Sequence, residues 1–142
     1  MAAVDPAHAD AAHSGLDGAI LKTAKRLRRE LDATLCLAHV LEPSDKLGGH
    51  DALANLARQY RLGTLPRAFG QGDPATAIPY LADAEEADVV VMGAISRRSR
   101  GQNFIAGTAE RVIDRLRCGI LVSKPPHFET DVPARPALKL RG

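Results

Sequence analysis

Short apolar runs alternate along this chain with stretches whose apolar residues recur every three or four positions. That alternation limits the fold more than any other feature. The clearest run is "DVVVMGA" (88–94). Four apolar residues follow one another with no polar alternation, as expected of a strand covered on both faces. "MAAVD" (1–5), "ATLCLAHVLEP" (33–43), "GTLPRAFGQG" (63–72) and "CGILVSKPP" (118–126) read as four more strands. Pro66 lies within the third, which places it at a sheet edge, because proline cannot donate to a ladder.

Helical periods fill the intervals. Over 11–31 the residues Leu16, Ile20, Ala24, Leu27 and Leu31 form one apolar stripe, with Lys22, Lys25, Arg26, Arg29 and Asp32 turned to water. Over 45–61 the apolar set is Leu47, Leu53, Leu56, Ala57 and Tyr60. "DPATAIPYLADAEEA" (73–87) opens with Asp73 at an N-cap position and Pro74 at the first helical position, and Pro79 should bend or shorten it. "GTAERVIDRLR" (107–117) places Ala109, Val112, Ile113 and Leu116 on one face. Strands alternating with helices imply an α/β fold, a parallel sheet with helices on both faces. The expected domain covers 1–126. The remainder, 127–142, carries prolines and charges without periodicity and reads as a C-terminal arm.

Composition narrows the function classes. A chain of 142 residues fits one domain with a sizeable core. Net charge is +2, which does not call for nucleic acid, and no apolar run approaches the roughly 20 residues a membrane span needs. The N-terminal residues lack a signal-peptide pattern, so the cytoplasm is the expected location. Cys36 and Cys118 stand in apolar surroundings and read as buried thiols; a disulfide between them is the alternative. His39, in an apolar run, reads as a core histidine. No metal-ligand cluster and no nucleophile–base pair is legible, so hydrolase catalysis has no support and enzymatic activity is not expected.

In an open parallel sheet, ligands bind beyond the carboxyl ends of the strands, where the strand order reverses. No Walker-type loop occurs. "GQGDPA" (70–75) fits G-x-G-x-x-A but lacks the acidic residue about 20 positions on. The stretch "GAISRRSRGQNFIAGTAE" (93–110) is more informative: a glycine at a strand end, a polar basic loop, then a helix start containing Gly-Thr.

Those residues resemble the universal stress protein family, most closely the second domain of its tandem, E-type members. The resemblance covers about 1–130 and is strongest over 87–126, where "TAE" opens the last helix, a cysteine precedes the last strand and "KP" follows it. It implies a doubly wound five-stranded sheet of order 3-2-1-4-5, of the Rossmann-like, adenine-nucleotide alpha-hydrolase-like kind. It also implies an Asp at the end of the first strand, here Asp5, and a G-x-x-G-x9-G-[ST] loop after the fourth. Anchored on "TAE", the loop's glycines fall on Gly93, Ser96 and Ala106, and its hydroxyl position on Gly107. A spacer one residue longer restores Gly107-Thr108. The site the family implies is therefore Asp5, Val40, Met92, Gly93, Ser96, Ala106, Gly107 and Thr108, with ATP or AMP as its ligand and no metal.

Glycine in such a loop supplies positive φ and lets backbone N–H groups approach phosphate. Ser96 and Ala106 add β-carbons there. Two readings follow. One is a non-enzymatic stress-response module with a degenerate nucleotide loop and no required cofactor. The other is an ATP- or AMP-binding protein with at most slow hydrolysis. The family further implies a homodimer, or pairing of tandem domains, through the last strand, with neither nucleic acid nor membrane as partner.

Overall fold

A computed structural model describes residues 1–6, 15–41, 43, 48–94, 96–99, 102–105 and 107–128, with 96–99 and 102–105 described by backbone alone. Five strands form a parallel sheet: β1 (Ala2–Ala3), β2 (Leu37–Leu41), β3 (Arg67–Gln71), β4 (Val89–Gly93) and β7 (Gly119–Ser123). Their order is β3-β2-β1-β4-β7, which is 3-2-1-4-5 counted along the sheet's own strands. β1 pairs with β2 and β4 on either side, Ala2 opposite Leu37 and Val91. The strand order therefore reverses between β1 and β4. Pro66 stands just ahead of β3, at the sheet edge the proline implies, and its carbonyl takes the Leu37 N–H at 2.9 Å.

Helices α1 (Leu16–Glu30) and α2 (Gly49–Gln59) cover one face, burying Ile20, Leu21, Ala24, Leu53 and Ala57 against Leu37 and Val91. Helices α3 (Pro74–Ala84) and α4 (Thr108–Ile113) cover the other with Ala75, Ile78, Ala109 and Val112 on Val40, Val90 and Met92. With few aromatics, this core is built from small and branched aliphatic side chains, so elements approach closely. A β-carbon on Gly70 would meet Ala77 Cβ at 3.0 Å and Leu81 Cδ1 at 3.2 Å. The glycine in "GQG" thus serves the packing of β3 on α3.

Three local expectations shift. α1 starts at Gly15, its N-cap, whose φ of +76° suits glycine; residues 11–14 of the expected helix lie outside the described ones. Leu31 falls at the C-cap and is 66% exposed, so the apolar stripe ends at Leu27, while Leu21 is fully buried. α4 stops after six residues, and Ile113 turns outward at 39% exposure.

The largest shift is in the basic loop. Ser96–Ser99 (β5) and Gln102–Ile105 (β6) pair antiparallel, Ser96 opposite Ile105 and Ser99 opposite Gln102. Two residues, 100–101, separate the strands, a hairpin length, and the second is glycine. They lie outside the described residues.

Candidate functional site

The crevice opens where β1 and β4 end, at the reversal of strand order. Asp5 follows β1 and is exposed; its backbone N–H donates to the Asp17 carboxylate at 3.0 Å. Asp17 stands in the first turn of α1. The sequence reading missed it, although an acidic residue in a first helical turn is an ordinary partner for free N–H groups. His39 lies just beneath, 1% exposed, with its Nδ1 3.1 Å from the Val4 carbonyl. A carbonyl only accepts, so Nδ1 carries the proton. His39 thereby ties β2 to the end of β1 as a buried core histidine.

Gly93 ends β4. A β-carbon there would lie 2.6 Å from Leu16 Cγ and Cδ2. The first residue of α1 thus occupies the space a side chain would need. Val40 and Met92 are both buried in the cluster with Ala109 and Val112, so only their backbone can face a ligand. Gly107 is the N-cap of α4, with φ +70° and open space around its missing side chain. Thr108 is the first residue of α4 and is exposed. Ala106 and the Ser96 side chain lie outside the described residues.

Beside this crevice α4 is fastened to the start of α3. The two guanidinium nitrogens of Arg111 reach the Asp73 carboxylate at 2.8 and 3.4 Å, and Thr76 Oγ1 donates to the same carboxylate at 3.1 Å. Arg115 donates to Thr76 Oγ1 at 2.7 Å. Asp73 stands at the expected N-cap, but its side chain makes no capping bond and turns to these partners instead. Partial burial pushes the carboxyl up; Thr76 and Arg111 together outweigh that and hold it below its ordinary value.

The Cys36 thiol is pushed up by burial, with Glu85 adding to it, the opposite of what a reactive thiolate needs. Cys36 and Cys118 are both free and half-buried. They precede β2 and β7, which stand three strands apart, about 14 Å at the usual spacing, well beyond disulfide reach. No cluster of metal-ligating side chains occurs among the described residues. No described helix is long and apolar enough to cross a membrane.

Comparison with known proteins agrees with this architecture. Residues 9–124 match the sequence profile of the universal stress protein family. Universal stress protein E of Escherichia coli K12 is 36% identical over 91 residues, which is 63% of this chain and 29% of that protein. The chain thus aligns with less than a third of that relative's length. A functionally unknown protein from Pseudomonas aeruginosa PAO1 superposes with a TM-score of 0.74 at 26% identity, over 87% of this chain and 46% of that one. A universal stress protein crystallised in complex with cAMP shares the fold, with a TM-score of 0.65 at 16% identity over 87% of this chain and 94% of its own. A five-stranded sheet of this order, an Asp after β1 and "GTAE" opening α4 therefore stand in a chain whose sequence matches one family over most of its length: it belongs to the universal stress protein family.

Proposed function

We propose that this domain acts in the stress response as a non-enzymatic dimeric module of the cytoplasm whose nucleotide loop is degenerate. The observation that carries this reading is the pairing of 96–99 with 102–105. An antiparallel pair directs half of its backbone N–H groups at the opposite strand, and in this chain that pair occupies eight of the thirteen residues between Gly93 and Gly107. A phosphate cradle needs those groups free. The Ser and Ala at the family's second and third glycine positions support the same reading.

The dimer would form through β7. It is an edge strand, and Leu121 and Val122 are 40% and 38% exposed beside it. An uncovered apolar edge favours pairing with a second strand. Replacing Leu121 with Lys should give a monomer by light scattering at high salt. A dimer that survives this change would place the interface elsewhere.

A second reading has one observation behind it. Gly107 keeps positive φ with open space around it at the start of α4, and a relative of this fold was crystallised with cAMP. On that reading Asp5, Gly93, Gly107 and Thr108 would hold ATP or AMP. Calorimetric titration with ATP plus magnesium, then with AMP, separates the two. No heat up to millimolar ligand is expected. Micromolar binding that disappears in Gly107→Val would replace the first reading with the second.

A further inference from the structure

Two corners of the molecule, one on each face of the sheet, are rich in charge of opposite sign. On α1, Lys22, Lys25, Arg26, Arg28 and Arg29 are all exposed, five cations within eight residues. The end of α2 lies beside them: Lys25 Nζ donates to the Tyr60 carbonyl at 3.2 Å, and Arg61 follows, also exposed. The acidic groups here are Glu30 and the exposed Asp32, against these six cations. Glu30 is taken by Arg26 at 2.8 Å and lies 3.9 Å from Arg29. Among the described residues, Lys22, Arg28 and Arg61 make no ion pair.

The end of α3, on the opposite face, carries the opposite sign, while α4 beside it bears Arg111 and, just beyond its end, Arg115 and Arg117. The segment "DAEEAD" (83–88) ends α3, and Asp83, Glu85, Glu86 and Asp88 are all exposed, none in an ion pair among the described residues. α1, α2 and α3 each run back against the strands, so all three finish at the end of the sheet where strands begin. α1 and α2 do so on one face and α3 on the other. The two corners are separated by the sheet and two helical layers of about 10 Å each. That exceeds the Debye length of about 8 Å at physiological salt, so one molecule cannot neutralise itself. Each corner also carries an uncovered anchor. The two most exposed large apolar side chains among the described residues are Leu31, at 66%, one turn beyond Arg28, and Tyr80, at 72%, one turn before Asp83.

We propose that the cationic corner at the end of α1 docks the acidic end of α3 in a second copy of this chain. α1 packs on β4 and β7 and α3 on β3 and β2, so bringing the two corners together takes a step across the sheet of roughly two to three strands as well as a shift perpendicular to it. Each copy has one of each, so the contact is head-to-tail and repeats. Charges steer and register the contact, and Leu31 and Tyr80 supply its desolvated centre. The β7 pairing proposed above uses the sheet edge and leaves both corners uncovered, so the two contacts are compatible and are broken by different changes.

Sedimentation velocity over a concentration series tests this, at about 50 mM and about 500 mM salt. Growth beyond a dimer is expected at low salt and is lost at high salt. Arg28→Glu with Arg29→Glu should weaken it tenfold or more, as should Glu85→Arg with Glu86→Arg. All four changes in one chain should restore association, which neither misfolding nor general stickiness would do. Leu121→Lys should leave the low-salt association in place while removing the high-salt dimer. The proposal is overturned if no species larger than a dimer forms at low salt, or if the fourfold charge swap fails to restore what each half removed while urea midpoints stay unchanged. Binding of an unrelated acidic protein with no self-association would overturn it equally.

Discussion

Gly93 and Gly107 bound the same loop, and both belong to the pattern that suggests a phosphate site, yet they are glycine for different reasons. At Gly93 the missing side chain is needed for packing: Leu16 sits 2.6 Å from where a β-carbon would be. At Gly107 a β-carbon would meet nothing within 4 Å among the described residues, and the need is conformational, a φ of +70° at the turn into α4. A motif written as spaced glycines thus mixes two physical demands. The packing demand holds whether or not a ligand binds. That explains how Gly93 can persist while positions 96 and 106 carry Ser and Ala.

The strongest way to break this contrast is to fill Gly93. Gly93→Val places methyl groups where Leu16 already lies, and overpacking of this kind should cost about 3 kcal/mol. Urea unfolding reads it directly. Leu16→Ala in the same chain should recover part of the loss, because the two sites share one space. An unchanged midpoint for Gly93→Val would mean that the close approach of α1 to β4 is not a constraint. Gly107→Ala should cost less, about 1 kcal/mol, since the space is open and only the backbone is strained. Leu16→Ala should give it no relief. If relief appears, the two glycines serve a common contact and the distinction fails.

The most legible elements owe that to their burial, continuous along the central strands β2 and β4 and periodic along α1. β2 and β4 are covered on both faces and read as unbroken apolar runs. α1 carries five cations opposite an apolar stripe. The sheet order and edge came from alternation, Pro66 and the family resemblance together. The antiparallel pair of 96–99 with 102–105 escaped because its residues alternate in neither apolarity nor charge in a way that marks a strand. Its only local signal was Gly101, placed two residues beyond Ser99. The site was legible only as a set of positions. Asp5 and Gly93 stand at the ends of neighbouring strands and Gly107 opens α4, but Val40 and Met92 are buried in the core. Leu16, which fills Gly93, and Asp17, which takes the Asp5 N–H, owe their roles to the placement of α1 against the strand ends. No periodicity records that placement.

The smallest effect concerns the link between α3 and α4, and it tests whether the far side of the crevice is held as firmly as the Gly93 side. Asp73 is fully ion-paired only while it is charged. Its carboxyl is held below the ordinary value of 3.8 by Thr76 and Arg111 against the opposing effect of burial. A carboxylate whose folded value is depressed stabilises the fold fully above its unfolded value, and that stabilisation is lost as pH falls through the folded one. Urea midpoints should therefore be flat in this respect above about pH 5 and decline below about pH 4. Asp73→Asn should be slightly less stable than the parent at neutral pH and should lose part of the acid decline. Because Asp73 and Arg111 are both partly exposed, high salt should shrink the difference. If Asp73→Asn and the parent show the same acid slope, the Arg111 pair adds nothing to the fold. The crevice would then be braced on one side only, through Leu16 on Gly93.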